Sequence, residues 1–307
     1  MALALEQIRR MRGGAQSHLM RCVAVSSRTL SGTASRTASK TALSPASSPI
    51  PSSSPGGESS TRKRDEYDYY VVKFQNNPQG ARILANELLA TRLAARIGLP
   101  APPVAVVEVR EELVAHTADL VMQLGRGRAP CRAGLQFGSR YPGSPADTVV
   151  YDFLPDEQLR EVQNLGDFCG MLVFDKWTCN TNGRQAIFFR GAGDTHYRAL
   201  MIDNGFCFNA GEWNFPDAPL RGIYARHRVY EGVRGMEAFE PWLSRIEERI
   251  GEAAVEEAAS EIPPEWYEDK ADALEKMLEQ LLRRRKLVAD LIVAAKKSSA
   301  QPFPNWK

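Results

Sequence analysis

The chain has 307 residues, 43% of them hydrophobic and 25% charged, which is enough for a sizeable core in one large or two modest domains. Its 39 Lys and Arg residues nearly balance 37 Asp and Glu residues, and a net charge of +2 argues against a dedicated nucleic-acid or anionic-membrane binder. Because no stretch approaches 18 consecutive apolar residues, the sequence predicts no transmembrane helix.

The cysteines and the amino-terminal composition bear on the compartment. Five cysteines are an odd number, and none form a C-x-x-C pair, so neither a disulfide scaffold nor a zinc ribbon is supported. Residues 7–57 lack Asp and Glu, as a transit peptide would, but the Ser-rich part begins only after a segment, 12–22, that looks folded. The cytoplasm is therefore the expected location.

A Ser-rich segment interrupts the first half of the chain. Residues 26–60 hold thirteen serines, four threonines and four prolines and no aromatic residue, a composition that predicts disorder. Strand-like runs at 18–25 and 69–74 flank this segment. Since a loop between paired strands tolerates a long insertion, we expect residues 26–66 to enlarge a hairpin loop.

The remaining elements of the first half follow in order. Apolar residues crowd one side of 82–97, and Gly98 follows, which predicts a helix. Two more strands are expected at 102–109 and 113–121. A short apolar run at 148–154 is expected to link the two halves.

The second half is predicted to be mainly helical. A buried helix is expected at 167–177, followed by strands at 185–189 and 197–202. Leucines at helical spacing predict a long helix over 270–297. The basic run Arg283–Lys286 lies inside this helix, where a solvated helix face is favoured over a nucleic-acid patch.

Two acidic positions in the second half suggest a phosphate-handling site. Asp203 directly follows an apolar strand and is followed by Asn-Gly, where a carboxylate can bind Mg²⁺, although a strand-ending turn gives the same pattern. Upstream, Asp175 and Asn180 have the spacing of the kinase catalytic loop, in which Asp accepts the hydroxyl proton and Asn binds a second Mg²⁺. Together, the two motifs indicate phosphoryl transfer more strongly than either one does.

The first half supplies residues that suit an ATP site in the same order. Lys73 lies in a predicted strand and could reach phosphates, and Glu87 on the next helix could pair with it. Gly13 and Gly14 precede the first strand, where their backbone N–H groups could cover phosphates. Taken singly, Lys73 reads as an edge-strand charge and Glu87 as a solvated helix residue, but their joint order favours a site.

At these motifs the chain resembles the HipA-like kinases, whose fold is related to those of protein kinases and phosphoinositide kinases. The resemblance covers most of residues 5–250 outside the Ser-rich segment. Its carriers are GGAQSHL at 13–19, YVVKF at 70–74, ANELLA at 85–90, FDKWTCNTN at 174–182 and IDNG at 202–205.

The resemblance implies an α+β, two-lobed protein-kinase-like fold. A small sheet-containing lobe would span residues 1–147, and a mainly helical lobe with the hinge would span 148–307. It also implies binding of ATP with Mg²⁺ and transfer of phosphate to a Ser or Thr hydroxyl of a protein, and it leaves room for an antitoxin-like partner.

One position departs from the family pattern. Many relatives carry an Asn-Thr-Asp-Arg-His loop whose Asp is the catalytic base, whereas this chain has Asn180-Thr181-Asn182 followed by Gly and Arg. If the alignment holds, Asn182 occupies the base position and cannot accept a proton as a carboxylate does. Either Asp175 supplies the base, which is the alternative we favour, or activity is weak or lost.

The expected site therefore has these assignments: Gly13 and Gly14 cover the phosphates, Lys73 with Glu87 positions them, Asp203 and Asn180 hold Mg²⁺, and Asp175 orients or deprotonates the acceptor. Two other functions stay open. One is a pseudokinase or nucleotide-binding scaffold, and the other is a lipid or small-molecule kinase, since fold alone does not fix the acceptor.

Overall fold

The structure is a computed structural model that describes residues 21–26, 36–37, 67–124 and 126–307. The predicted glycines Gly13 and Gly14 and most of the Ser-rich segment lie outside these residues. Within them, no helix is long and apolar enough to cross a membrane.

A five-stranded sheet forms the first part of the fold, in the order β1-β3-β7-β4-β2. The strands of the first half, including a separate β5-β6 hairpin, are β1 (Arg21–Ser26), β2 (Arg36–Thr37), β3 (Tyr67–Lys73), β4 (Val104–Val109), β5 (Val121–Leu124), β6 (Gly127–Pro130) and β7 (Gly134–Arg140). β1 pairs antiparallel with β3, as expected of two strands around a long insertion. Within that insertion, the two residues of β2 lie parallel to β4.

Helix α1 (Arg82–Arg96) follows β3 at the predicted position. Its central residues are buried on nearly every side, because they pack against the second half of the chain as well as the sheet. Leu84, Leu88 and Leu93 belong to the same large core as Phe174 and Trp177 from the second half. The two halves thus share one hydrophobic core across α1.

The strand expected at 113–121 is wrong. The structure has a short helix, α2 (Glu111–Ala115), and the strand begins only at Val121. Glu111 and Glu112 occupy the first turn, where acidic side chains favour the positive end of a helix. The apolar residues that follow them suggested a strand, but they are too few to outweigh this local preference.

The second half begins with a three-stranded sheet in the order β10-β9-β8. Its strands are β8 (Thr148–Tyr151), β9 (Gln185–Gly191) and β10 (Arg198–Ile202). The run expected to be a linker therefore begins as a strand of this sheet. Because β9 pairs antiparallel with β10 and Gln185 faces Ile202, the start of β9 lies beside the end of β10.

Helices make up most of the rest. They are α3 (Asp156–Leu159), α4 (Asp167–Thr178), α5 (Glu240–Arg249), α6 (Glu252–Ala259), α7 (Ala271–Arg284) and α8 (Val288–Lys296). The long helix predicted over 270–297 is divided by a 3-10 turn at Arg285–Leu287. There, Arg285 donates through Nε to the Leu282 carbonyl at 2.9 Å, which holds the turn. The α+β fold with a sheet-rich first part and a helical second part is confirmed.

Candidate active site

The clearest polar cluster joins the two halves of the chain at Lys73, Glu87 and Asp203, and is called the Lys73 cluster below. Lys73 lies at the end of β3, Glu87 lies on α1 and Asp203 directly follows β10. The ammonium of Lys73 forms ion pairs with Glu87 Oε1 and, at 2.5 Å, with Asp203 Oδ1. The structure thus brings together three of the residues that the sequence predicted for an ATP site.

Burial and the neighbouring charges shift the pKa values of the three residues in the Lys73 cluster. Burial alone would lower the pKa of Lys73, but the charges of Glu87 and Asp203 outweigh it, so that this pKa is raised above its usual value. Burial raises the pKa of Glu87, which is almost completely enclosed. Burial would also raise the pKa of Asp203, but the neighbouring ammonium of Lys73 holds it below its usual value. Lys73 and Asp203 are therefore both charged at neutral pH.

Asp203 is the open member of the cluster. Its side chain is 18% exposed, against 3% for Glu87. Its backbone is in the left-handed region with φ 59°, which Asp adopts more readily than most residues. The second carboxylate oxygen, Oδ2, accepts a hydrogen bond from Gln185 Nε2 at 2.6 Å.

Gly205, two residues after Asp203, is required by close packing. A Cβ at this position would lie 2.4 Å from Cγ2 of Ile83 on α1. The glycine lets the chain pass directly against the helix that carries Glu87. Glu87 in turn accepts a hydrogen bond from the backbone N–H of Asn204 at 2.9 Å, which fixes the turn next to Asp203.

Asn86, the neighbour of Glu87, holds the following segment against α1. Its Nδ2 donates to the carbonyls of Gly205 at 2.8 Å and Ala210 at 2.7 Å, and its Oδ1 accepts from Trp213 Nε1 at 2.8 Å. Asn86 is buried, so these bonds satisfy a polar group that would otherwise be costly. The adjacent positions 86 and 87 thus position the chain on both sides of Gly205.

A second cluster, called the Arg184 cluster, joins Asp175 in the last turn of α4 to Asn180 and Arg184 in the loop that follows the helix. Arg184 donates to both carboxylate oxygens of Asp175, through Nε at 2.8 Å and through Nη2. Asn180 Nδ2 donates to Asp175 Oδ1 at 3.0 Å. The side chains of Asp175 and Arg184 are both 0% exposed, so the pair is sealed from solvent.

The Arg184 cluster places two predicted site residues away from solvent. Asp175 does not face an open cleft, because both of its oxygens are held by Arg184 and Asn180. Gly222 packs against it so tightly that a Cβ there would lie 2.3 Å from Asp175 Cβ. Asn180 is 1% exposed, and its Oδ1 accepts from the Asn182 backbone N–H at 3.1 Å. In this arrangement, neither side chain can touch an acceptor.

Asn182 is the exposed member of this loop. Its Oδ1 accepts from the backbone N–H of Gly183 at 2.9 Å, and its backbone carbonyl accepts from Gly222 at 3.1 Å. The side chain itself is solvent-exposed. The structure thus presents an exposed carboxamide at position 182.

Arg184 also connects its cluster to the Lys73 cluster. Its Nη1 donates to the Ile202 carbonyl at 2.8 Å and to Asn204 Oδ1 at 2.9 Å. Asn204 Nδ2 donates to Thr91 on α1 at 2.9 Å. Burial would lower the pKa of Arg184, but the charge of Asp175 outweighs it and raises this pKa, so the guanidinium stays charged.

The sequence analysis assigned no role to Arg184, Asn204, Asn86 or Gln185. One of them carried a usable signal: Asn86 lies among apolar residues of α1, which predicts a specific buried partner. Gln185 and Arg184 carried none, because their roles depend on the pairing of β9 with β10.

The segment after Asp203 is anchored from the carboxyl-terminal half. Arg284 donates to both oxygens of Asp217, at 2.8 and 2.6 Å, and to the carbonyls of Lys176 and Trp177 at the end of α4. Its guanidinium also lies over the ring of Phe215, 4.6 Å from the centroid. Arg284 is buried, so the predicted solvated face of the basic run is wrong at this position.

Three solved structures are similar to this chain at low sequence identity. In a search of the solved structures, the Helicobacter pylori proinflammatory kinase CtkA matches with 16% identity and a TM-score of 0.47, over 75% of this chain and 87% of that chain. Hydra Fam20 with sugar matches at 12% identity and a TM-score of 0.42, over 76% of this chain and 80% of that chain. The Golgi casein kinase with Mn/ADP bound matches at 12% identity and a TM-score of 0.45, over 76% of this chain and 68% of that chain.

No curated protein matches the sequence. Residues 61–191, by contrast, match the family model described as HipA-like kinase. The matched range includes Lys73, Glu87, Asp175 and Asn182 but ends before Asp203. The match confirms, over residues 61–191, the resemblance to the HipA-like kinases that was drawn from the sequence.

Proposed function

We propose that this protein binds ATP with Mg²⁺ and transfers the γ-phosphoryl group to a Ser or Thr hydroxyl of a protein. The observation that carries the proposal is the Lys73 cluster, in which a strand lysine is held between a buried helix glutamate and a partly exposed aspartate. This is the arrangement that a kinase uses to hold phosphates and metal.

The donor groups at Asp203 fit a divalent cation. Magnesium prefers carboxylate and carbonyl oxygens and is bound by one or two protein carboxylates together with substrate phosphates. Asp203 offers a carboxylate that is ionised at neutral pH and partly open to solvent. Bound Mg²⁺ would neutralise charge on the transferring phosphoryl group.

The other residues of the cluster have positioning roles. Lys73 supplies a fixed positive charge for phosphate oxygens, and Glu87 keeps that charge in place from the rigid helix α1. Phosphoryl transfer depends mainly on positioning and electrostatic stabilisation, which these residues provide. Gly13 and Gly14 remain our proposal for covering the phosphates.

The acceptor side of the site lacks a free carboxylate in the loop after α4. Asp175 is sealed by Arg184, so we assign it to holding the loop rather than to deprotonating the acceptor. The exposed carboxamide of Asn182 can orient an acceptor hydroxyl by hydrogen bonding but cannot take its proton. Because general base catalysis contributes about 10²–10⁴-fold, we expect slow transfer.

The test pairs binding with turnover on the purified protein. We expect ATP with Mg²⁺ to raise the melting temperature, and labelled ATP to label the protein itself or a protein in cell lysate. Asp203→Ala should remove the Mg²⁺-dependent part of both signals and leave the fold intact, as judged by circular dichroism. Undiminished transfer in Asp203→Ala would overturn the assignment.

A nucleotide-binding pseudokinase is the second candidate. It is favoured by the burial of Asp175 and by the carboxamide at position 182. Asn182→Asp separates the two candidates, because a new carboxylate at this exposed position should increase transfer by a slow kinase. Binding of Mg-ATP with no transfer by either protein would support the pseudokinase.

Acceptor and location are also part of the proposal. A protein acceptor follows from the family resemblance, and phosphate incorporation into lipid or small-molecule fractions would favour the alternative kinase classes instead. The Ser-rich segment offers hydroxyls for autophosphorylation, which mass spectrometry after incubation with ATP would detect. A cytoplasmic location and an antitoxin-like partner remain expectations from the sequence.

A further inference from the structure

Gln185 lies beside Asp203 because of the sheet register. It is the first residue of β9 and pairs with Ile202, the last residue of β10, and Asp203 follows directly. Its side chain is exposed, and its Nε2 donates to Asp203 Oδ2 at 2.6 Å. Two polar groups from neighbouring strands therefore meet at the open edge of the Lys73 cluster.

The carboxamide of Gln185 can supply an oxygen ligand beside Asp203. A glutamine amide carries both an oxygen acceptor and an NH₂ donor, and rotation about its last torsion exchanges them. With the amide turned, Gln185 Oε1 would face the same side as Asp203 Oδ2. Asp203 Oδ1 already faces Lys73, so Oδ2 and the amide oxygen form a pair of oxygen donors suited to a hard cation.

The carboxamide of Asn180, which its spacing from Asp175 suggested as a metal ligand, already has other hydrogen-bond partners. Asn180 is buried, donates to Asp175 and accepts from the backbone of Asn182. Turning it toward a metal would break both bonds and open the sealed Arg184 cluster. Gln185 needs only a rotation of its amide, because its side chain is exposed and already lies beside Asp203.

We infer that Gln185, rather than Asn180, is the carboxamide that binds the divalent cation together with Asp203. The inference rests on the proposed function and deepens it by naming a metal ligand that neither the family pattern nor the loop spacing provides. Gln185 also explains how the site can bind a cation although Asn180 is held within the Arg184 cluster.

The test measures Mn²⁺ binding directly, using electron paramagnetic resonance of the free ion in the presence of a non-hydrolysable ATP analogue. We expect Gln185→Leu to weaken Mn²⁺ binding by about tenfold or more, the scale seen when groups supporting a metal site are removed. Binding of the analogue in EDTA should be unchanged. Gln163→Leu, at another exposed glutamine, serves as the matched control.

Gln185→Glu separates a ligand from a simple hydrogen-bonding partner. A carboxylate restores an oxygen ligand, so Mn²⁺ affinity should equal or exceed that of the unmodified protein. Without metal, the new charge repels Asp203 and should lower the melting temperature. Equal Mn²⁺ affinity in Gln185→Leu and the unmodified protein, or an affinity for Gln185→Glu as weak as that of Gln185→Leu, would overturn the inference.

The outcomes also distinguish this inference from the proposed function. If the unmodified protein binds Mn²⁺ with the analogue and Gln185→Leu binds equally well, the proposed function stands and the role of Gln185 fails. If the unmodified protein binds neither Mn²⁺ nor the analogue, both fail together.

Discussion

The Lys73 cluster and the Arg184 cluster are built from the same kinds of group, yet they are suited to different tasks. Each contains a cation and a carboxylate on elements that end near each other. In the Arg184 cluster the ion pair is fully enclosed and its oxygens are all used. In the Lys73 cluster Asp203 remains partly exposed and has only a flexible amide on its second oxygen.

The difference shows that exposure, not residue type or spacing, decides which acidic residue can do chemistry. Asp175 and Asp203 both follow patterns typical of kinases, but only Asp203 can contact a ligand without breaking a fully buried ion pair. A sealed Arg–Asp pair suits a structural support. The following predictions test this division.

Asp175→Asn should have the largest effect on stability. It leaves the buried guanidinium of Arg184 without a negative partner, and removing one member of a buried ion pair typically costs about 3–5 kcal/mol. Urea unfolding followed by circular dichroism would measure the loss. Asp272→Asn, at an exposed position on α7, is the control and should change stability by less than about 1 kcal/mol. Similar stabilities of the two variants would contradict the structural role of Asp175.

Lys73→Met should destabilise the protein in a different manner, with a loss of roughly 3 kcal/mol at pH 7.5. The residue left behind is Glu87, which, unlike Arg184, can be neutralised. Burial already raises the pKa of Glu87, and loss of the ammonium raises it further.

The sign of the pH dependence follows from that shift. A carboxyl group whose pKa is raised by folding binds its proton more tightly in the folded state. Stability therefore falls as the pH rises from the pKa of the group in the unfolded chain toward its pKa in the folded protein. The variant should therefore approach the unmodified protein near pH 4.5 and fall behind at neutral pH. Unfolding curves across this range would measure the difference, and a constant gap would contradict the placement of Glu87.

Lys176→Met should have the smallest effect on stability. The effect should appear as a change in how the free energy of unfolding depends on pH rather than as a loss at a single pH. Lys176 is buried at the end of α4, where its ammonium donates to the carbonyls of Pro219 at 2.7 Å and Arg221 at 2.8 Å. Burial lowers its pKa to about 8, despite the opposing charge of Asp175. Between that value and 10.5, the unfolded chain binds more protons at this site, so the contribution of Lys176 to stability rises with pH.

The measurement compares the two proteins between pH 8 and 10.5. Over this window, the difference in free energy of unfolding between the unmodified protein and Lys176→Met should grow by roughly 2–3 kcal/mol in favour of the unmodified protein. Subtracting the variant removes the titration of other groups. A parallel pair of curves would show that Lys176 keeps an ordinary pKa in the folded protein.

The sequence predicted the positions of helices and strands better than it predicted which side chains are buried and what they contact. Helix α1, helix α4 and the strands around Asp203 were found, because each is rich in apolar residues that the fold buries. The segment at 111–124 was misjudged, since two glutamates outweighed a short apolar run. The long carboxyl-terminal helix was predicted without its break, because the bond from Arg285 to Leu282 leaves no mark on periodicity.

For the site, the sequence placed Lys73, Glu87 and Asp203 in the correct order along the chain, and the fold brings them together. Spacing also singled out Asp175 and Asn180, but spacing cannot show that Arg184 covers them. The exposed fraction of a side chain depends on which distant segment packs over it, and here that segment includes Gly222. Gln185 was overlooked because its meeting with Asp203 depends on strand register.

The lysine-to-aspartate contact has a consequence for how the protein is made. Lys73 and Asp203 are separated by 130 positions, and Asn86 reaches 119 positions ahead to Gly205. Contacts of such long range form late, since the loop between them must first be closed at an entropic cost. A chain emerging from the ribosome therefore has no complete Lys73 cluster until its second half has been synthesised and has docked on α1.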